Sequence, residues 1–328
     1  MKKQIQTEVN NQDNIIDNIL RPRTLADYIG QPNIRESIDV AITSAKIRKT
    51  SLEHILLYGP PGLGKTTLAY IIANEMNSKL VYTVGPNIEK SGDIASILCS
   101  LQENDVLFID EIHRINKQSE ECLYSAMEDG FISIIIGQGE QSKTIKMTLP
   151  KFTLIGATTR TALLSKPLLD RFSFQYKLNY YSVSELASIV QASATKLGFD
   201  LEMTEANEIA SVSRGTPRIA NRNLKLVRDY AYARNKGIVN KNVIKKTFEL
   251  AGIKADGLND TDIRLLSTLW KNDSAIGLST LSHVLGEDTQ TIEEVFEPYL
   301  LMNEYIEITA RGRRITDKGI NMMQAMIK

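Results

Sequence analysis

The sequence predicts an α/β nucleotide-binding unit, then an all-helical segment, then a C-terminal helix-turn-helix with a hairpin wing. Three observations carry this. An apolar strand, Ile55 to Tyr58, runs into Gly59-Pro60-Pro61-Gly62-Leu63-Gly64-Lys65-Thr66, which fits G-x-x-x-x-G-K-[ST], and a helix-like run follows from Thr67. A second apolar run, Val106 to Ile109, has the length of a buried parallel strand and ends in Asp110-Glu111. From Gly257 onward three helical patterns precede a strand, a basic turn and a second strand.

Taken along the chain, Met1 to Asn18 is rich in Asn, Gln and Lys and reads as a mobile polar arm. In the glycine-rich loop, backbone N–H groups turn inward toward an anion, and the following helix adds the positive end of its dipole. Lys65 would reach the β- and γ-phosphate oxygens, and the Thr66 hydroxyl would complete the shell of a Mg²⁺ ion. An acidic pair after a strand is commonly a solvated turn. After a phosphate loop, Asp110 is expected to hold Mg²⁺ through water and Glu111 to polarise the attacking water. His113 is one of three histidines, none at metal-ligand spacing from another, and is expected to be a hydrogen-bonding or packing residue.

Residues 130 to 149 interrupt the strand-helix alternation. Phe131 to Ile136 and Thr144 to Leu149 are β-prone runs about Gly137-Gln138-Gly139, which predicts a hairpin whose apolar excess serves either the core or a docking surface. A third strand, Phe152 to Ala157, ends in Thr158-Thr159-Arg160, where a hydroxyl would sense the γ-phosphate. Arg171 in Asp170-Arg171-Phe172 and Arg218 in Gly215-Thr216-Pro217-Arg218 are candidates for stabilising transition-state charge. From Ser182 to about Gly252 the periodicity is helical, with Pro217 starting one helix and Gly198 and Gly237 ending others.

The last segment is expected to hold helices over Asp262 to Trp270, Leu278 to Leu285 and Thr291 to Leu301. In the third, Ile292, Val295, Phe296, Tyr299 and Leu300 share a spacing that predicts one buried face. Such a shape binds DNA, or serves as a protein-interaction module. With 39 basic and 39 acidic residues in 328, overall charge does not announce a nucleic-acid partner. The distribution is more telling. Residues 181 to 256 carry 12 basic and 8 acidic side chains, and residues 257 to 328 carry 7 and 11, three of those seven crowded into Arg311, Arg313 and Arg314. DNA contact is therefore expected along one edge, through phosphates and without base readout. Cys99 and Cys122 make no metal or redox spacing, and no run has the length of a membrane span or the apolar core of a signal peptide, which predicts a cytoplasmic chain.

The ordered set of motifs resembles the AAA+ ATPases and, within them, the RuvB family of bacterial Holliday-junction branch-migration motors. The resemblance is carried by Arg21-Pro22, Tyr28-Ile29-Gly30-Gln31, GPPGLGKTTLA from Gly59, DVLFIDEIHR from Asp105, AMEDG from Ala126, TLIGATTR from Thr153, LLDRF from Leu168, RGTPRIANR from Arg214, TIEEVFEPYL from Thr291 and ARGRR from Ala310. It implies an AAA+ P-loop parallel sheet with helices on both faces (19–181, hairpin about 130–149), a helical lid (182–254) and a winged-helix domain (257–328). The hairpin would bind the junction-recognition partner RuvA.

The resemblance also implies ATP and Mg²⁺ as cofactors, with Gly62, Gly64, Lys65, Thr66 and Thr67 around the phosphates and Thr66 and Asp110 at the metal. Glu111 would be the base, Thr158 sensor 1, Arg218 sensor 2, and Arg171 a finger reaching a neighbouring subunit's nucleotide. Leu20, Arg21 and Tyr181 would line the adenosine side, and Glu128, Asp129 and Gly130 would join the nucleotide-binding set. A homohexamer on duplex DNA follows, working with RuvA and, in a larger complex, the RuvC resolvase. Three positions depart from the family pattern: Leu169 replaces an arginine, Gly130 an aromatic and Ile308 a DNA-contacting arginine. Two other readings stay open. One is a replication-initiator or helicase-loader ATP switch with a winged helix. The other is a protein unfoldase, although Val84 to Asp93 lacks the aromatic-apolar pore loop that an unfoldase needs.

Overall fold

The computed structural model describes residues 19–136, 143–272 and 274–327, with the side chains of 134–136, 143, 144 and 327 left aside. The expected N-terminal arm and the Gly137-Gln138-Gly139 turn lie outside the described residues. The chain divides into two compact units. One holds residues to Asp200 together with Gly215–Arg218, and the other holds Leu201–Arg214 and Ile219 onward.

The first unit is built on five parallel strands in the order β2-β3-β6-β1-β7. They are β1 (Ile55–Tyr58), β2 (Leu80–Val84), β3 (Val106–Asp110), β6 (Thr153–Thr158) and β7 (Phe174–Lys177). Strands covered on both faces must be apolar throughout. Accordingly, Ile55, Leu56, Leu57, Leu107, Phe108, Ile109, Leu154 and Ile155 are fully buried. The helices between them are α1 (Pro32–Arg48), α2 (Lys65–Glu75), α3 (Ser91–Cys99), α4 (Lys117–Asp129), α5 (Lys166–Arg171) and α6 (Val183–Lys196). Their starts are chemically marked. Asn116 accepts from Ser119 N, Ser165 from Leu168 N, and Ser182 forms a capping box with Glu185. The chain passes from β1 to one side of the sheet and returns through β6 to β7 on the other. The crevice at the C-terminal ends of β1, β3 and β6 is therefore a switch point.

Strands β4 (Phe131–Ile136) and β5 (Lys143–Thr148) pair antiparallel in a separate hairpin, with Phe131 opposite Thr148 and Ile134 opposite Ile145. Burial does not follow position along the hairpin, since Ile132 and Met147 stand directly opposite each other. Ile132 is fully buried in the core of the first unit, whereas Ile145 and Met147 are 46% and 40% exposed.

The second unit contains α7 (Met203–Ser211), the part of α8 (Pro217–Arg234) beyond Arg218, and α9 (Lys241–Leu250). They are followed by α10 (Asp260–Trp270), α11 (Leu278–Leu285), α12 (Thr289–Thr291), α13 (Glu297–Met302), the antiparallel wing β8 (Ile306–Thr309) and β9 (Gly312–Ile315), and α14 (Asp317–Ile327). Helix α14 was not among the expected elements, although Met323 joins the core. The face predicted for the third helix needs a correction. Ile292, Phe296, Tyr299 and Leu300 are buried, but Val295 is 55% exposed. Between α12 and α13 the helix widens into a π turn, Ile292–Phe296. Pro298 has no N–H, and its ring would collide with the Glu294 carbonyl in a regular α-helix. Widening the preceding turn accommodates the proline and rotates Val295 off the buried stripe.

A buried ion pair ties the polypeptide before α8 to α10. Arg214 pairs with the fully buried Asp262, donates from Nε to Gly257 O at 2.7 Å, and lies 5.0 Å over the Tyr299 ring. Asp262 also caps its own helix by accepting from Asn259 N at 2.7 Å. Breaking a buried pair by removing one partner strands the other charge. Asp262→Ala is therefore expected to destabilise the second unit by about 3–5 kcal/mol. Urea denaturation checks this, and a shift no larger than that of an exposed aspartate would contradict it.

Candidate functional site

The phosphate loop leaves β1 at Gly59, whose N–H donates to Thr158 O at 3.2 Å and so joins the loop to the end of β6. Gly59 has φ 136°, and a Cβ there would lie 2.6 Å from Leu178 O, so only glycine fits this exit. The loop ends at Lys65, the first residue of α2. That helix has no side-chain cap and no acidic residue in its first turn. Its N-terminal amides are therefore left to an outside anion.

Lys65 is 7% exposed, and its Nζ donates to Gly59 O and Pro60 O at 2.8 and 2.9 Å. Burial lowers its pKa to about 8, against the upward pull of Asp110 and Glu111 and with a further push down from Arg218. Thr66 Oγ1 donates to Asp110 Oδ2 at 3.2 Å, and Asp110 Oδ1 accepts from Glu111 N at 3.0 Å. Glu111 adopts the left-handed conformation, φ 52° and ψ 42°, which non-glycine residues hold only under local constraint. Its neighbour His113 touches both Thr158 Oγ1, at 2.9 Å from Nδ1, and Glu111, at 3.4 Å from Nε2. Arg218 N donates to Gly62 O at 3.3 Å, bringing the start of α8 onto the loop.

The side expected to hold a base is framed by two tyrosines. Tyr28 Oη and Tyr181 Oη are 2.8 Å apart, and Tyr181 Oη donates to Leu63 O at 3.2 Å. Leu20 is buried, and Lys196 Nζ donates to its carbonyl at 3.2 Å. Arg21 lies 5.2 Å over the Tyr70 ring. Tyr28 and Lys196 were not singled out as site residues. Tyr28 stood in a motif that carries the resemblance but was given no role, Lys196 stood in none, and both contacts span more than a hundred residues of sequence.

Lys65, Thr66, Asp110, Glu111, Thr158 and Arg218 thus converge on one crevice, with Thr67 half-buried on the first turn of α2. Glu128, Asp129, Gly130 and Arg171 form a different group. Arg171, at the end of α5, pairs with Glu128 on α4, and Gly130 closes α4 with φ 66°. Leu169, where the family pattern has an arginine, packs against the core. On the wing, Arg311 and Arg314 are exposed, with Arg314 paired to Glu307. Arg313 is bound by Nε and Nη2 to the buried Glu297, at 2.6 and 3.0 Å, and by Nη2 to Glu293 at 3.3 Å. Ile308 is 54% exposed on β8.

The crevice fits a nucleoside triphosphate with Mg²⁺: a buried ammonium held by its own loop, an uncapped helix start, and a hydroxyl beside a carboxylate. No group of three or more His, Cys, Asp or Glu among the described residues forms a metal cage. Thr66 beside Asp110 suits Mg²⁺, which takes one or two protein ligands and fills its shell from phosphates and water. Nucleotide affinity is expected to fall as pH rises through about 8, by up to about tenfold per pH unit, because the free Lys65 then loses the proton that binding needs. Below that pH the ammonium is intact and affinity should be flat. A fluorescent-nucleotide titration across this range checks it, and Lys65→Arg should remove the dependence.

Comparison with known proteins covers all three segments. Residues 20–178 match the Holliday junction DNA helicase RuvB P-loop domain, 181–254 the RuvB AAA lid domain, and 255–324 the RuvB C-terminal winged helix domain. The chain is 53% identical over 309 residues to the Holliday junction branch migration complex subunit RuvB of Campylobacter hominis, covering 94% of this chain and 91% of that one. Its identity to the subunit of the same name in Fusobacterium nucleatum is 50% over 306 residues, covering 93% and 92%. The solved structure of the Thermotoga maritima RuvB Holliday junction branch migration motor superposes with a TM-score of 0.83 at 42% identity, covering 93% of this chain and 98% of that one.

Proposed function

This chain belongs to the RuvB family, and we propose from that premise that it is an ATP-driven DNA motor that moves Holliday junctions during recombination and repair, working as a hexameric ring on duplex arms. The observation that carries the motor chemistry is the meeting of Thr66, Asp110, Glu111 and Thr158 at the ends of adjacent parallel strands.

Mg-ATP, when bound, supplies the phosphoanhydride whose terminal phosphoryl passes to water. Lys65 and the first turn of α2 hold the phosphates, and Thr66 with Asp110 holds the metal. A Glu111 carboxylate oxygen takes the proton of the attacking water. Thr158 orients the reacting end, and Arg171 acts on the neighbouring subunit's site. Arg218 lies in the first turn of α8, whose later turns belong to the second unit, so altered contacts at Arg218 reach that unit through the helix itself. Leu20, Arg21 and Tyr181 hold the adenosine.

For DNA we assign Arg311 and Arg314 of the wing to phosphate contact. Arg313, committed to Glu297, keeps the wing in place. The exposed Ile145 and Met147 suit the hairpin to an apolar groove on RuvA, with RuvC joining in a larger complex. No helix among the described residues is long and apolar enough to cross a membrane, and the cytoplasm, where such DNA lies, is the proposed compartment.

The deciding experiment is strand separation of a labelled synthetic four-way junction with ATP and Mg²⁺, with and without RuvA. Separation that Lys65→Ala abolishes is expected. DNA-stimulated ATP turnover without separation would favour a loader or switch instead.

A further inference from the structure

His113 sits on the short turn Ile112–Arg114 after β3, with its side chain 7% exposed. One imidazole touches both the hydroxyl at the end of β6 and the carboxylate assigned to water activation: Nδ1 is 2.9 Å from Thr158 Oγ1, and Nε2 is 3.4 Å from Glu111 Oε2. Burial lowers the His113 pKa, Glu111 opposes this, and Arg160 and Arg114 add to it. The neutral ring has one N–H and one bare nitrogen, and which is which follows from the partner of the other.

Thr158 Oγ1 has one hydrogen and two lone pairs. The Arg160 N–H occupies one lone pair at 2.9 Å. When the hydroxyl donates to Nδ1, the ring proton must lie on Nε2, facing Glu111. When the hydroxyl turns to an acceptor in the phosphate cradle, Thr158 offers Nδ1 only its second lone pair. Nδ1 must then carry the proton, and Nε2 presents a lone pair to a carboxylate that it no longer attracts.

We infer that His113 is a positioning residue that passes the hydrogen-bond direction of Thr158 to Glu111 through its tautomer. Nε2–H restrains Glu111 while Thr158 donates to the ring, and frees it for water when Thr158 donates elsewhere. Protons balance, because Nε2 gives one to water, Nδ1 takes one from water, and the ring stays neutral. Glu111, 38% exposed, has room to make this turn. The inference rests on the roles given above to Thr158 and Glu111.

Nitrogen-15 NMR of the histidine rings in the full chain tests it. There are three histidines, and His113→Gln identifies the His113 signals by their loss. The Nε2–H form is expected without nucleotide and with ADP. The Nδ1–H form is expected with Mg²⁺ and a non-hydrolysable ATP analogue, and Thr158→Val should abolish the change. An unchanged tautomer at full occupancy, checked by displacement of a fluorescent nucleotide, overturns the inference. In turnover, His113→Gln should lower kcat by about 10–100-fold, the usual loss when an orienting partner is removed, with KM unmoved. A raised KM with kcat intact would mark His113 as merely structural. The two readings fail separately. Parental turnover by Glu111→Gln would remove the base itself, whereas an inactive Glu111→Gln alongside a fixed His113 tautomer would remove only the relay.

Discussion

Glu111→Gln is expected to lower ATP turnover by about 10²–10⁴-fold, the usual contribution of a general base, while nucleotide binding persists. The amide keeps the shape of the carboxylate and the left-handed backbone at this position, so the turn after β3 should be undisturbed. Asp110 retains its contacts with Thr66 Oγ1 and with the backbone N–H of residue 111, so the metal side of the crevice stays built. What is lost is the basicity of the carboxylate, since a neutral amide oxygen cannot take the proton from water. A second, finer consequence follows for Lys65. Glu111 is one of the two carboxylates holding up its pKa, so the pH at which nucleotide affinity begins to fall should move below about 8 in the variant. Stopped turnover with retained binding and a shifted pH profile is the expected pair. Hydrolysis at the parental rate would rule Glu111 out as the base.

The parts of the site legible in the sequence are those that are contiguous in it. A phosphate cradle needs a strand, a glycine-rich loop and a helix in immediate succession, so Gly59 to Thr66 could be read directly. The acidic strand end at Asp110-Glu111 is equally local. Residues brought in by tertiary packing carried no such mark: Tyr28 meets Tyr181, and Lys196 reaches the Leu20 carbonyl. Charge clustering was legible, but pairing was not. Arg313 lies between two exposed arginines and is nevertheless bound to Glu297, sixteen residues upstream. The Val295 error has a signal that periodicity ignored, since Pro298 cannot sit inside an unbroken α-helix without moving the preceding turn. Gly215–Arg218 shows the same limit at the level of organisation. A helical pattern runs through it, yet its contacts, Tyr181 N to Gly215 O at 2.9 Å and Arg218 N to Gly62 O, place it with the nucleotide crevice.

Arg171→Ala is expected to reduce turnover by about 10³–10⁵-fold, the range attributed to an arginine finger, without removing nucleotide binding. Within its own chain Arg171 is turned to Glu128 and leaves one guanidinium nitrogen, Nε, buried without a partner. The two side chains are 35% and 53% exposed, and an ion pair so open to water is worth about 0–1 kcal/mol. It holds the arginine at the surface without locking it there. Under the proposed function this arginine serves a site that a neighbouring subunit brings, through head-to-tail contacts of the kind that form a ring when the rotation closes. Complementation separates this from action in cis. Arg171→Ala has a sound phosphate loop and no finger, while Lys65→Ala has a finger and no sound loop, so each ring alone should be inactive. Mixed in equal amounts and allowed to exchange subunits, they should recover about a quarter of the parental turnover, because a quarter of the interfaces in a head-to-tail ring then pair an intact loop with an intact finger. Mixtures as inactive as the separate variants would place Arg171 in its own subunit's site and remove the reason for requiring a ring.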